Sequence, residues 1–250
     1  MVQIPKERID KLLVDKGLAD SRTKAQAMIM AGIVLVDNHR VSKPSETFAV
    51  DCTIRIKGAS EETTYVSRGG LKLAAALEAF EIDPSGWACL DIGSSTGGFT
   101  DCLLRQGAAS VTAIDAGTNQ LAWSLRTDPR IDVRENTNAR HLAPEDFDQK
   151  FDLAVMDVSF ISVEKVIPAI IDLLTYEKRL VVLIKPQFEV GRGEVGKGGI
   201  VRDEQKHKEV VEKVIEFAKG LGLSCRGTIA SPITGAEGNK EFLAYLTAPS

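Results

Sequence analysis

The chain has 250 residues, with 44% hydrophobic and 26% charged side chains and a formal net charge of −4, enough apolar content to bury a substantial core in one or two domains. Four cysteines (Cys52, Cys89, Cys102, Cys225) at wide, irregular spacing without a CxxC pair, and only three histidines (His39, His141, His207), argue against a zinc site or a disulfide framework and fit a reducing compartment. No apolar run approaches the ~20 residues of a membrane span, and MVQIPKERIDK at the start has no signal-peptide hydrophobic region, so a cytoplasmic setting is expected.

Charge is unevenly distributed: residues 1–58 carry ten Lys/Arg against seven Asp/Glu, whereas the remainder carries 21 against 28. Within this basic head, IPKERIDKLLVDKG places Ile9, Leu12, Leu13 and Lys16 at helical spacing and stops at Gly17. Ser21 is placed to cap a second helix, RTKAQAMIMAG, with Ala25, Met28 and Ile29 inward and Gly32 as terminator. IVLVDNHRV then alternates around an Asp37-Asn38 turn, and TIRIKG alternates again, predicting a small strand ribbon. Lys6, Arg8, Lys11, Arg22, Lys24, Arg40 and Lys43 fall near the predicted helix starts and turns, where helix N-termini and clustered cations suit phosphate oxygens. The order helix, helix, hairpin, with R-x-D-x-L-L and A-x-x-x-I-x-x-G-x-V-x-V, resembles the S4-type RNA-binding domain. That resemblance implies an RNA-binding domain over 1–58, followed by a polar linker over 59–66.

From residue 67 to 250 strands and helices alternate. The predicted strands are 87–92, 110–115, 131–135, 151–157, 180–185, 223–230 and 241–247; the predicted helices between them are 98–106, 119–126, 163–174 and 203–220. Such alternation predicts an α/β domain with a mostly parallel sheet covered on both faces, whose ligands lie outside the carboxyl ends of the strands.

The first strand runs into ACLDIGSSTGGFTDCLLRQGA. A dinucleotide fingerprint reads G-x-G-x-x-G; here the turn reads D-x-G-x-x-x-G-G, and Asp91 would repel a pyrophosphate. An adenosyl ligand with a cationic amino-acid tail tolerates that carboxylate. Gly93, Gly97 and Gly98 remove side chains where backbone is expected to approach a ligand. Asp115 ends the second strand, where a carboxylate can accept both hydroxyls of a ribose. The combination points to S-adenosylmethionine and methyl transfer.

The acceptor is read from charges at strand ends. Asp157 ends FDLAVMDVSF, and Lys185 ends RLVVLIKPQFE just before Pro186. Glu241 joins them if the last strand runs antiparallel. SRGGLKLAAALEAF reads as a helix entered through Ser67, with Lys72 on its first turns. Charges terminating otherwise apolar strands are usually there to meet something.

SRGGLKL, DIGSSTGGFTD, MDVSF, IKPQFE and GNKEF, in that order, resemble the motifs of the TlyA (hemolysin-A-like) family of ribosomal RNA ribose methyltransferases, in which an S4-type domain is joined to an FtsJ-like catalytic domain. The resemblance runs over nearly the whole chain. It implies a Rossmann-like methyltransferase domain over 67–250 behind the small α+β head, and ribosomal RNA as partner. It also implies a Lys-Asp-Lys-Glu tetrad for 2'-O-methylation on Lys72, Asp157, Lys185 and Glu241, and a cofactor site that includes Gly97, Phe99, Asp115, Asn138 and Asp157. Asn138 stands where many relatives of the wider class carry an aspartate facing the adenine amino group; its amide oxygen can accept the same bond.

A ribose 2'-hydroxyl is a poor nucleophile and needs positioning together with help in losing its proton. Lys185 is expected either to take that proton or to steer the hydroxyl and stabilise a developing alkoxide; neither role requires a metal. FEVGRGEVGKGGIVRDE follows, a glycine-rich segment whose Arg192, Lys197 and Arg202 are expected to close on RNA. Two rival readings are a small-molecule O-methyltransferase, which has no need of a basic head, and a membrane-lysing protein, which would need an apolar or strongly amphipathic segment.

Overall fold

The computed structural model describes residues 5–16, 18–19, 21–37, 39–50, 52–56, 65–191, 194–196, 198–235 and 238–249. The chain divides into two compact units, Met1–Thr63 and Thr64–Ser250.

The first unit contains β1 (Lys6–Arg8), α1 (Ile9–Asp15), α2 (Arg22–Met30), β2 (Val34–Val36), β3 (His39–Arg40), β4 (Thr47–Ala49) and β5 (Ile54–Ile56). Ser21 caps α2 by accepting from the Lys24 N–H at 3.2 Å. One face of α1 (Ile9, Leu12, Leu13) packs on Ala25 and Ile29 of α2 and on Val34 and Val36 of β2, so the helical spacing read from the sequence is a packing face; Lys16 is exposed. The predicted ribbon is present, with β2 antiparallel to both β3 and β5; Gly17 and Asn38 lie outside the described residues. The sequence reading missed the pairing of β1 with β4, Lys6 opposite Ala49 and Arg8 opposite Thr47. Lys6 and Arg8 therefore belong to a strand, and Arg8 is at the same time the N-cap residue of α1. Three residues are too few to show a period of two.

The second unit contains α3 (Gly69–Ala79), β6 (Ala88–Ile92), α4 (Gly98–Arg105), β7 (Ser110–Ile114), α5 (Trp123–Arg126), β8 (Ile131–Arg134), β9 (Phe151–Met156), α6 (Ile167–Ile171), β10 (Leu174–Ile184), α7 (Pro186–Glu189), α8 (Glu204–Gly220), β11 (Ser224–Ala230) and β12 (Phe242–Thr247). These strands form one sheet in the order β11-β12-β10-β9-β6-β7-β8. The five from β8 to β10 are parallel, and β12 runs antiparallel to β10 and β11. Alternate residues serve opposite faces. Ala154, Met156, Val182 and Ile184 join α6 and α8, while Leu153, Val155, Val181 and Leu183 join α3 and α4. The strand order reverses at β6, which has β7 on one side and β9 on the other, so the ligand crevice belongs beside its carboxyl end.

Two predicted helices are corrected. Over 119–126 only Trp123–Arg126 is helical, because the N–H groups of Asn119, Gln120 and Leu121 donate to the Glu135 carboxylate and a helix would present them differently. Over 163–174 a 3₁₀ turn (Val163–Lys165) precedes the short α6, and β10 already begins at Leu174 rather than 180. Burial of Leu173 and Leu174 in the sheet core outweighs their helical spacing. None of the four cysteines is in a disulfide.

Candidate active site

Between β6 and α4 the backbone turns through positive φ at Gly93 (81°), Ser95 (47°) and Gly97 (97°). A side chain at any of these glycines or at Gly98 would meet neighbouring protein. A Cβ at Gly93 would strike the Asp157 carbonyl, one at Gly97 the side chains of Leu121 and Leu125, and one at Gly98 the Ser67 hydroxyl and the backbone of Gly69 and Gly70. Gly93 thereby lets the end of β9 lie against the turn.

Asp91, one residue before the end of β6, is fully buried. Its Oδ2 accepts from Thr100 Oγ1 at 2.6 Å, and its Oδ1 has no hydrogen-bond partner. Burial pushes its pKa up to about 7, opposed by the Thr100 hydrogen bond and assisted by the charge of Asp157. An orphaned buried acceptor two residues before Gly93 suits a cationic group.

Asp115, just beyond β7, accepts from the Ser95 N–H at 2.8 Å and the Gly117 N–H at 2.7 Å, which joins the two strand-end turns. Beside it lies a cavity of about 540 Å³ lined by Gly93, Asp115, Gln120, Asn138, Asp157 and Ile161, among others. A smaller pocket of about 100 Å³, lined by Ser67, Gly69, Gly98, Phe99 and Asp157, shares Gly93 and Ser95 with it. Phe99 is otherwise a core residue. Asn138 lines the larger cavity, but its amide oxygen accepts from the Arg140 N–H at 3.2 Å. Sequence reasoning missed Glu135, whose carboxylate shapes this wall. Burial works against its ionisation, yet the backbone N–H groups of Leu121, Asn119 and Gln120, together with Arg126, hold its pKa down at about 2.

The four tetrad residues come together as two ion pairs. Lys72 Nζ donates to Glu241 Oε2 at 2.5 Å, and both side chains are buried. Lys185 Nζ lies 2.5 Å from Asp157 Oδ1 and donates to Ser159 Oγ at 2.8 Å. Sheet register explains the convergence. Ile184 is opposite Phe242 in the antiparallel β10/β12 pair, so the next positions, Lys185 and Glu241, emerge together; parallel β9 delivers Asp157 at the same edge. Asp157 and Ser159, the two partners of Lys185, line the larger cavity.

In the first unit the basic residues divide. Arg8 donates to both oxygens of the buried Asp10 at 3.0 and 2.9 Å, and Arg22 and Gln26 each donate to Oδ2 at 3.0 Å. The Arg8 bonds hold the Asp10 carboxyl well below the usual range against its burial, with Gln26 and Arg22 adding to the effect. Lys11 pairs with Glu7 at 2.5 Å, and the Arg40 guanidinium lies over Gly32. Arg8 and Arg22 thus fasten the head as well as charging it. Lys6, Lys24 and Lys43 are exposed. Arg192 and Lys197 lie outside the described residues.

Residues 65–248 match the FtsJ-like methyltransferase family model. The chain belongs to the FtsJ-like methyltransferase family. Its first unit carries the S4 domain over residues 7–50, so this FtsJ-like enzyme is a two-part protein. It is 48% identical to "16S/23S rRNA (cytidine-2'-O)-methyltransferase TlyA" of Mycobacterium tuberculosis over 96% of this chain and 89% of that protein. It is 41% identical to "Hemolysin A" of Brachyspira hyodysenteriae over 95% of this chain and 98% of that protein. A solved hemolysin-named structure from Streptococcus thermophilus is 43% identical, with a TM-score of 0.76, covering 99% of this chain and 90% of that one. Among the described residues no helix is long and apolar enough to cross a membrane.

Proposed function

We propose that this FtsJ-like enzyme transfers the methyl group of S-adenosylmethionine to a ribose 2'-hydroxyl of ribosomal RNA in the cytoplasm, with its S4 domain as the RNA-holding part. The observation that carries this reading is the placement of the two lysine-carboxylate pairs at one sheet edge beside the Asp115 cavity. The residues fit the cofactor: Asp115 suits the ribose hydroxyls, Gln120 and Asn138 suit the adenine side, and the orphaned Asp91 Oδ1, two residues before Gly93 of the cavity wall, is an acceptor for the amino-acid end. When bound, the cofactor supplies an electrophilic sulfonium methyl.

Lys185 does the work at the acceptor. With Ser159 accepting one of its N–H bonds and Asp157 pairing with its charge, the ammonium keeps a donor for the 2'-oxygen, which orients the hydroxyl and favours negative charge growing on it. Asp157 lies between that lysine and the cavity and so couples acceptor geometry to cofactor geometry. The buried Lys72–Glu241 pair supports the same edge from β12 and α3. The cytidine specificity in the name of the Mycobacterium relative is proposed here on the 48% identity over 96% of this chain.

The test is single-turnover methylation of ribosomal RNA, with mapping of 2'-O-methyl sites. Lys185→Ala is expected to keep cofactor affinity and lose ~10²–10⁴-fold in rate. Lys185→Arg keeps charge but cannot give up its proton; recovery would assign steering, and continued loss would assign base catalysis. Near-normal rates in Lys185→Ala, or methyl transfer to free catechols but not to RNA, would overturn the reading.

A further inference from the structure

Two chain segments carry the Asp157–Lys185 pair, and both leave the sheet immediately afterwards. Residues 157–162 follow β9 and form a wall of the larger cavity through Val158, Ser159, Phe160 and Ile161. Phe160 has φ of +65° and a ring that is 92% exposed, a left-handed conformation that bulky side chains rarely adopt and that surrounding structure must impose. The upstream anchor of this segment is the sheet, through the Asp157 N–H donating to the Ile92 carbonyl at 2.8 Å.

The downstream anchor is a buried carboxylate on the other segment. Glu189 ends α7, the short helix that begins directly after Lys185, and is 7% exposed. Its Oε2 accepts from Ser162 Oγ at 2.6 Å and its Oε1 from the Val163 N–H at 2.9 Å. Between the anchors lie the Lys185–Ser159 hydrogen bond and the Phe160–Phe188 ring contact, with centroids 5.2 Å apart. Burial pushes the Glu189 carboxyl up, while the Ser162 and Val163 donors favour its ionised form, Glu164 opposes ionisation and Lys213 of α8 assists it. A carboxylate with both oxygens engaged on one partner segment acts as a two-point staple.

We infer that Glu189 is a positioning residue for methyl transfer: by accepting from Ser162 and Val163 it fixes the segment after Asp157 against the turn after Lys185. The spacing of the Asp157–Lys185 pair and the cavity wall then depend on a group that touches neither substrate nor cofactor. This rests on the reading of Lys185 as the residue that handles the 2'-hydroxyl.

The test uses the full chain with Glu189→Ala, Glu189→Gln, Ser162→Ala and the Glu189→Ala/Ser162→Ala double variant. At saturating RNA and S-adenosylmethionine, Glu189→Ala is expected to lower kcat by about 10²-fold, the scale of an ångström of misplacement, with cofactor Kd changed less than about threefold. Glu189→Gln should recover most of the rate, because its amide oxygen accepts from Val163 while its amide nitrogen donates to Ser162. Ser162→Ala should shift kcat the same way by less, and the double variant should be no slower than Glu189→Ala. Wild-type kcat in Glu189→Ala, or kcat losses that multiply in the double variant, would overturn the inference. If Glu189→Ala does not fold, a wild-type kcat in Ser162→Ala together with a defect in Glu189→Gln overturns it instead. Lys185→Ala run in parallel separates the two failures: an active Lys185→Ala removes the underlying reading, whereas an inactive one with normal Glu189→Ala removes only this inference.

Discussion

Lys72 of α3 donates to Glu241 at the head of β12 across 169 residues of sequence, at 2.5 Å and with both side chains buried. Removing one partner leaves a buried charge unpaired, whereas removing both leaves only a packing problem. Lys72→Ala is therefore expected to lower stability by ~3–5 kcal/mol in urea unfolding. A Lys72→Met/Glu241→Leu double variant should return close to wild-type stability and still fail to methylate RNA. Methylation by the double variant would place the pair outside the reaction.

Asp115 joins the turn after β7 to the Ser95 turn and faces the cavity. Asp115→Ala should weaken S-adenosylmethionine binding at least tenfold by calorimetry, with only a small change in Tm. Gly97→Val behaves differently, since its side chain meets Leu121 and Leu125 at a φ of +97°. Lower Tm should accompany any loss of cofactor affinity there; unchanged Tm would contradict the packing role.

Asp91 sets a pH dependence. Its folded pKa of about 7 lies above the ordinary 3.8, so the folded state binds the proton more tightly than the unfolded state does. Stability from this group is then lost as pH rises from about 4 through 7, by up to about 1.4 kcal/mol per pKa unit. Asp91→Asn should be more stable than wild type at pH 8, and the difference should shrink towards pH 5. Parallel Tm profiles for the two proteins would show that Asp91 is not the titrating group.

The S4 domain separates fastening from binding. Arg22 is tied to the buried Asp10, so Arg22→Ala should cost about 1 kcal/mol in stability, modest because the guanidinium is half exposed. Lys6→Ala and Lys43→Ala should leave Tm unchanged while weakening ribosomal RNA binding, each making the log-log salt slope shallower by about one unit. An unchanged slope in both would move the RNA contact elsewhere.

Local signals in the sequence determined a good deal. Apolar runs and their punctuation located the seven strands of the sheet, and a serine before an amphipathic repeat located the α2 cap. Charges ending apolar strands marked Asp157 and Lys185, because such a residue leaves the sheet core at a predictable edge. Only the tertiary structure decided which lysine meets which carboxylate, since that depends on β12 entering antiparallel beside β10, a pairing between segments distant in sequence. It also showed what the turn glycines face: a missing Cβ is visible in a sequence, but the Asp157 carbonyl beside Gly93 and the Leu121 and Leu125 side chains beside Gly97 are not. Glu135 carries no periodic or motif signal, and Glu189, although it closes the IKPQFE motif, is given no role there by its spacing. Glu135 is satisfied mainly by backbone N–H groups of another segment, and Glu189 by one backbone N–H and one serine hydroxyl; backbone donors are the same at every non-proline residue, so only folding selects such partners.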